Sequence, residues 1–265
     1  MEKYRTYGQR PFTAAFIHGG PGAAGELKNI AERAAQYCGV IEPMQTGDTV
    51  AGQVEELRRI LEKEAPQGAV LVGYSWGAWL SWIFTSRYQK LVKKIILVSS
   101  PPFTEEFAGA VMPTRLSRLS RPMGQELEFL LSNVENKAVR DRKRLLERVE
   151  FITSKSDLCK PDMTLYSKAE YNPDIFSGVW NEAAAMRKSG ELLKLSKNIK
   201  CHVTVIHGDY DPHPAEGVRG PVSGVKRKFN FHLLKNCGHT PWLEKDAAEI
   251  FFSTLKEEIL KDTLS

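Results

Sequence analysis

Apolar residues along this chain fall into two rhythms that take turns. The runs Phe12–Ile17, Val40–Met44, Ala69–Val72, Ile95–Val98 and Cys201–Ile206 are largely apolar. Strands buried on both faces of a parallel sheet read this way. Between them the apolar positions recur every three or four residues, the spacing of one helix face. Leu27, Ile30, Ala31 and Ala34 mark a helix over roughly Ala24–Tyr37, and Val54, Leu57, Ile60 and Leu61 mark one over Val50–Glu64. Asp48 or Thr49 offers an N-cap for the second, and Pro66 stops it. An amphipathic helix is predicted over Trp76–Tyr88. Lys228–Leu234 alternates as a further strand. A closing helix over Leu243–Leu260 carries Ala247, Ile250, Phe251 and Leu255 on one side.

The alternation breaks at Phe103 and resumes after Leu192–Lys197. The interval has helical patterns over Gly124–Asn133, Lys137–Ser154 and Asn181–Lys188. Pro161 and Pro173 punctuate it, and it has no clear sheet strand. The pattern therefore predicts an α/β core, residues 1–102 and 191–265, with a mostly parallel, doubly wound sheet. Residues 103–190 are expected to form a helical cap over the C-terminal ends of the strands.

Composition narrows the function. A 265-residue chain with 42% hydrophobic residues can bury a large core. The net charge of +5 is mild, and the basic stretch Arg140–Arg148 is interleaved with Asp141 and Glu147. A nucleic-acid groove wants one sign of charge and interleaved aromatics, so no nucleic-acid partner is expected. Cys38, Cys159, Cys201 and Cys237 are scattered with no C-x-x-C pair, as in a reduced, zinc-free protein. The segment Met1–Tyr7 lacks the apolar stretch of a signal peptide, and no run reaches membrane-span length. A cytoplasmic protein with no membrane partner is expected. No G-K-[ST] occurs, and no cofactor is expected.

The chemistry concentrates in four loops, each following a predicted strand. Gly73-Tyr74-Ser75-Trp76-Gly77 is a G-x-S-x-G between a strand and a helix. That sharp turn lifts the Ser75 hydroxyl clear, and the two glycines let strand and helix converge. A serine hydroxyl needs a base to take its proton, and the base needs an acid to hold its tautomer. In this architecture they come in the chain order Ser, Asp or Glu, His. His239 is the candidate base, with His213 second; His202 and His207 read as packing residues. Asp211 is the candidate acid, with Asp209 the alternative, because the loop Ser99–Pro102 has no carboxylate. The N–H of Trp76 is one candidate oxyanion donor. The loop His18-Gly-Gly-Pro-Gly22 is shaped to supply the other, from Gly20 or Gly19.

His18–Gly22, Gly73–Gly77, Gly208–Asp211 and Gly238-His239 together resemble the α/β-hydrolase superfamily, over most of the chain outside residues 103–190. The HGGPG sequence is similar to that of proline iminopeptidases and their neighbours. The resemblance implies an α/β-hydrolase fold with a cap inserted after the sixth strand of the usual fold. It also implies a triad of Ser75, Asp211 and His239, and an oxyanion hole including Gly20. Two features depart from that pattern. About ten residues precede the first core strand, so the usual antiparallel strand pair is expected to be trimmed. Glu42–Gly47 replaces a D-x-R-G-x-G-x-S loop.

The expected function is hydrolysis of a small ester, thioester or amide through an acyl-enzyme on Ser75. An iminopeptidase-like aminopeptidase would hold the substrate amine with cap acids, for which Glu105, Glu106, Glu126 and Glu128 are candidates. A cofactor-free lyase or haloperoxidase would use the same groups on a different substrate, and a non-catalytic binder would leave them idle. Phe103, Phe107, Phe129, Phe176 and Trp180 are the aromatics available to a pocket.

Overall fold

The computed structural model describes residues 3–225 and 229–261. The expected strand start at Lys228 lies outside these, as do Met1 and Glu2. In chain order the elements begin β1 (Tyr4–Tyr7), β2 (Phe12–Ile17), β3 (Ala23–Ala24), α1 (Lys28–Ala34), β4 (Gly39–Pro43), α2 (Val50–Glu64), β5 (Ala69–Tyr74), α3 (Trp76–Arg87) and β6 (Val92–Val98). Then follow α4 (Glu105–Ala108), α5 (Val111–Arg118), α6 (Arg121–Asn133), α7 (Arg142–Asp157), β7 (Glu170–Tyr171), α8 (Pro173–Lys188) and α9 (Glu191–Lys194). The chain returns to the sheet with β8 (His202–Gly208), α10 (Glu216–Val225), β9 (Phe229–Leu234) and α11 (Ala248–Leu260).

Seven strands form one sheet in the order β1-β4-β2-β5-β6-β8-β9. All neighbours pair in parallel except β1, which runs antiparallel against β4. Side chains alternate across the sheet, as a period of two requires. Ala15, Ile17, Leu71, Ile95 and Leu97 face the core shared with α2, α3 and α10. Ala14, Phe16, Val70, Val72, Ile96 and Val98 face the core shared with α1 and α11. Helices therefore cover both faces, the doubly wound arrangement of an α/β-hydrolase fold.

Several expectations need correcting. The edge is trimmed, as expected, but it keeps one antiparallel strand, β1, whose half-exposed residues gave no strand rhythm and which was not predicted. Helix α1 starts at Lys28, because Ala23–Ala24 instead pairs with Glu170–Tyr171 in a second, two-stranded sheet. That pairing also puts a strand inside 103–190, where none was expected. Helix α3 is not amphipathic: eleven of its twelve residues are buried. Its indole N–H groups are satisfied by Gln53 Oε1, Pro101 O and Leu192 O at 2.9, 3.1 and 2.9 Å. Pro173 opens α8 rather than breaking a helix, with Asn172 capping the N–H groups of Asp174 and Ile175. Asp141 caps α7 in the same way, so that helix begins at Arg142 rather than Lys137. The last helix starts at Ala248, because Pro241–Leu243 forms a tight 3₁₀ turn. The predicted span of α2 is met in full, with Thr49 as its cap.

Candidate active site

The four loops of interest follow β2, β5, β8 and β9 and meet at one end of the sheet. Ser75 sits between β5 and α3 with φ 51° and ψ −118°, a strained backbone for a residue with a Cβ. Close packing holds it there. A Cβ on Gly77 would lie 2.1 Å from Ile17 O, and one on Gly73 would lie 2.2 Å from Gly77 O. Neither position tolerates a side chain without moving backbone.

His239 Nε2 lies 3.1 Å from Ser75 Oγ, and His239 Nδ1 lies 2.8 Å from Asp211 Oδ2. The structure thus brings Ser75, His239 and Asp211 into one hydrogen-bonded row. Asp209 is elsewhere: its carboxylate accepts from Cys237 N–H at 3.3 Å and faces exposed Lys235 at 3.5 Å. Asp211 is buried. Burial alone would raise its carboxyl, but His239, His213 and His207 around it hold it well below the usual carboxylate range. His207, read from sequence as packing, belongs to this group; its Nε2 donates to His213 O at 2.8 Å. His213 donates Nδ1–H to Asp211 Oδ1 at 2.9 Å, and its ring lies 4.5 Å from that of His239.

Trp76 opens α3, so the helix offers its N–H no carbonyl. In the loop after β2, Gly19 N–H donates to the Glu26 carboxylate, whereas Gly20 faces the cavity beside Ser75. Burial, with Glu150 and Glu42 adding to it, pushes the Glu26 carboxyl up to about 8 against the lowering pull of the Gly19 N–H.

The cavity over Ser75 has a volume of about 470 Å³. Its wall is mostly apolar, with Met112, Leu146, Phe176 and Trp180 from the helical segment and Trp242 from the His239 loop. Of the expected aromatics, Phe176 and Trp180 line it. Phe103 is instead packed in the core on Trp79 and Trp82, and Phe129 is 66% exposed. The expected cap acids do not line it either. Glu105 and Glu126 are paired with Arg187 and Arg148, and Glu106 and Glu128 are exposed. The acids at the wall are Glu26, Glu150 and Asp157, and of these only Asp157 has an arginine partner among the described residues.

The helical segment is tied to the histidine loop by contacts with no sequence signal. Asp157, the last residue of α7, accepts His239 N–H on its backbone oxygen at 2.7 Å. Its carboxylate is gripped by Arg115 of α5 at 2.6 and 3.0 Å. Buried Glu244 accepts the N–H groups of Gly238, Cys159 and Lys160 at 2.8, 2.8 and 2.7 Å. No motif or spacing in the sequence marks Glu26, Glu244 or Arg115. The His213 contact did have a signal, since Asp-x-His places both groups on one short loop.

Asp211, His213 and His239 are the one group among the described residues whose ligand atoms cluster closely enough for a metal. Their bonds to one another and to Ser75 already account for the arrangement. No helix among the described residues is long and apolar enough to cross a membrane.

A family model described as alpha/beta hydrolase fold matches residues 14–244. No curated protein matches the sequence. Among solved structures, the chain is similar to VinJ, with TM-score 0.70 and 16% identity over 97% of this chain and 94% of that one. It is similar to a meta-cleavage product hydrolase from Pseudomonas fluorescens IP01, with TM-score 0.66 and 15% identity over 98% and 94% of the two chains. It is also similar to a thermophilic esterase from Thermogutta terrifontis, with TM-score 0.64 and 17% identity over 98% and 93%.

Proposed function

Because the chain belongs to the alpha/beta hydrolase fold family, we propose that it is a serine hydrolase acting on a small ester, thioester or amide. The observation that carries this reading is the row of contacts from Ser75 Oγ to His239 at 3.1 Å and on to Asp211 at 2.8 Å, opening on a cavity. Asp211, ionised and buried, keeps the proton of neutral His239 on Nδ1 and leaves the Nε2 lone pair for the serine proton. Ser75 Oγ attacks the carbonyl carbon while His239 takes that proton. The N–H groups of Trp76 and Gly20 receive the developing oxyanion, each worth about 3 kcal/mol of barrier. Gly20 is favoured over Gly19 because Glu26 already occupies the Gly19 N–H.

His239 then returns the proton to the leaving group, and water, activated by the same imidazole, hydrolyses the acyl-enzyme. In this reading residues 103–190 act as the cap, and their apolar wall takes the acyl part of the substrate. A second reading, an aminopeptidase of the iminopeptidase type, is favoured by one feature. Glu26 and Glu150 face the cavity and would take the place of the cap acids in meeting a substrate amine.

A fluorophosphonate probe tests the main reading: labelling of the native chain and none of Ser75→Ala is expected. An unlabelled native chain, or equal labelling of the variant, would refute it. Turnover of short acyl esters, acyl-CoAs and aminoacyl amides side by side separates the two readings. Cleavage confined to N-terminal Pro amides selects the second.

A further inference from the structure

Asp211 serves two imidazoles, and the proposed mechanism uses one. Its Oδ2 accepts from His239. Its Oδ1 accepts both Nδ1–H and the backbone N–H of His213, each at 2.9 Å. The His213 residue is fixed a third time, through its backbone carbonyl, by His207. Pro212 and Pro214 flank the residue and stiffen it further.

The tautomer of His213 follows from its neighbour. Asp211 is an anion, so the nitrogen facing it carries a proton. Burial draws the His213 ring down to about 4 despite Asp211, so it is neutral at physiological pH. A neutral imidazole has one N–H, and here it is on Nδ1; Nε2 is a bare acceptor. No described residue donates to Nε2, the side chain is 9% exposed, and the residue lines the same cavity as Ser75. A nearly buried acceptor on a residue that lines a cavity is a binding group awaiting a donor.

The location of that donor follows from the mechanism. His239 must pass its proton to the leaving oxygen, so the leaving group lies against His239. The His213 ring is 4.5 Å away. A hydroxyl on the carbon next to the leaving C–O sits about 3 Å from the leaving oxygen, which suits the second ring. We propose, on the basis of the serine-hydrolase reading, that His213 Nε2 selects substrates by accepting a hydrogen bond from a second hydroxyl on the leaving alcohol. The favoured substrates are then acyl monoesters of diols and polyols, with the acyl chain against the apolar wall and the polyol between the two histidines.

The test compares 2-hydroxyethyl butanoate with 2-methoxyethyl butanoate, which share the acyl group and differ in the donor. The native chain should favour the hydroxy ester in kcat/KM by about 10- to 100-fold, the scale of one lost hydrogen bond to a buried acceptor. His213→Asn places an amide N–H near the position of Nδ1 and removes the acceptor at Nε2. It should cut the preference, read as the ratio of kcat/KM for the two esters, to under about threefold. His213→Gln, with an amide oxygen near the position of Nε2, should keep part of the preference. A native chain without preference, or His213→Asn with the full preference, overturns the proposal.

A second measurement does not depend on turnover or on a variant at His213. In ¹⁵N-histidine-labelled Ser75→Ala chain, the Nε2 resonance of His213 should move upfield with the hydroxy ester and not with the methoxy ester. Equal response to both esters overturns the role of His213 even if Ser75 proves catalytic. A selective response, together with a native chain that hydrolyses neither ester, keeps that role and refutes the serine mechanism.

Discussion

Asp211→Asn is the sharpest probe of the proposed triad. The substitution turns one carboxylate oxygen into an NH₂ group, leaving one side of the side chain able to accept. Oδ1 receives two donors from His213, and one of them is a backbone N–H that has no other tautomer. Oδ2 receives only His239 Nδ1. Turning the NH₂ toward His213 opposes two donors, whereas turning it toward His239 opposes one that can move its proton. The amide oxygen therefore stays on His213, and His239 shifts its proton to Nε2. Ser75 Oγ, 3.1 Å away, then meets an N–H in place of a lone pair. In a Ser-His-Asp site the wrong tautomer lowers kcat by about 10⁴, roughly 5.4 kcal/mol at 1.36 kcal/mol per decade. The folded state should lose only about 1–3 kcal/mol, the cost of weakening charge-assisted bonds to neutral ones. The assay is p-nitrophenyl butanoate hydrolysis near neutral pH, with circular dichroism to show that the variant is folded. Asp209→Asn is the control and should stay within about fivefold, because that carboxylate meets a backbone amide and an exposed lysine. A folded Asp211→Asn within tenfold of native would refute the reasoning, as would a large loss in Asp209→Asn.

Three further outcomes follow from buried charges. Glu26 titrates near 8 in the fold against 4.5 when unfolded, so its contribution to stability is complete below about pH 4.5 and is lost as the pH rises toward 8. Native Tm should drop through that window by up to the equivalent of about 5 kcal/mol, at about 1.4 kcal/mol per pKa unit. Glu26→Gln should flatten it; a constant gap in Tm between the two chains across the window would contradict this assignment. Glu258 pairs with Lys94 at 2.7 Å, and both side chains are almost fully buried. Burial would raise the Glu258 carboxyl, but bonds from Lys94, Thr204 and Lys261 hold it down to about 2. Its stabilisation is present above about pH 4.5 and lost as the pH falls toward 2. Glu258→Gln should cost about 3–5 kcal/mol in urea unfolding, because it strips the charge from Lys94's buried partner; a cost under 1 kcal/mol would show the pair to be well hydrated. Arg115→Met releases the Asp157 carboxylate, whose residue holds the His239 backbone. Ester kcat should fall at least about tenfold together with a loss of roughly 3–5 kcal/mol in stability; an unchanged kcat would uncouple the helical segment from the histidine loop.

How far the chain could be read depended on how local each cause was. The strand and helix rhythms are local, so the parallel strands and α2 stood out without any structure. Strand β1 did not, because an edge strand with one exposed face carries little apolar pattern. Helix α3 was legible in extent but not in character. Burial all round comes from the sheet, α2 and the segment near Leu192 closing over it, and no stretch of twelve residues records what will pack against it.

The same division runs through the site. Amino-acid order alone supplied a serine in a glycine-flanked turn, two aspartates in one loop and a histidine in the next, because each chemical role demands a residue type and a place after a strand. It left Asp209 and Asp211 open, since both follow β8 and differ only in where the loop turns. Tertiary structure puts Asp211, and not Asp209, against His239 by joining positions 28 and 164 residues apart in the chain. It also decided that Asp211 holds a second imidazole, that Glu26 occupies the Gly19 amide, and that Asp157 and Glu244 tie the histidine loop to the helical segment. Those contacts are set by distances across the fold between groups whose sequence neighbourhoods carry no mark of them. The sequence pattern carries which groups are present; only packing carries which of them touch.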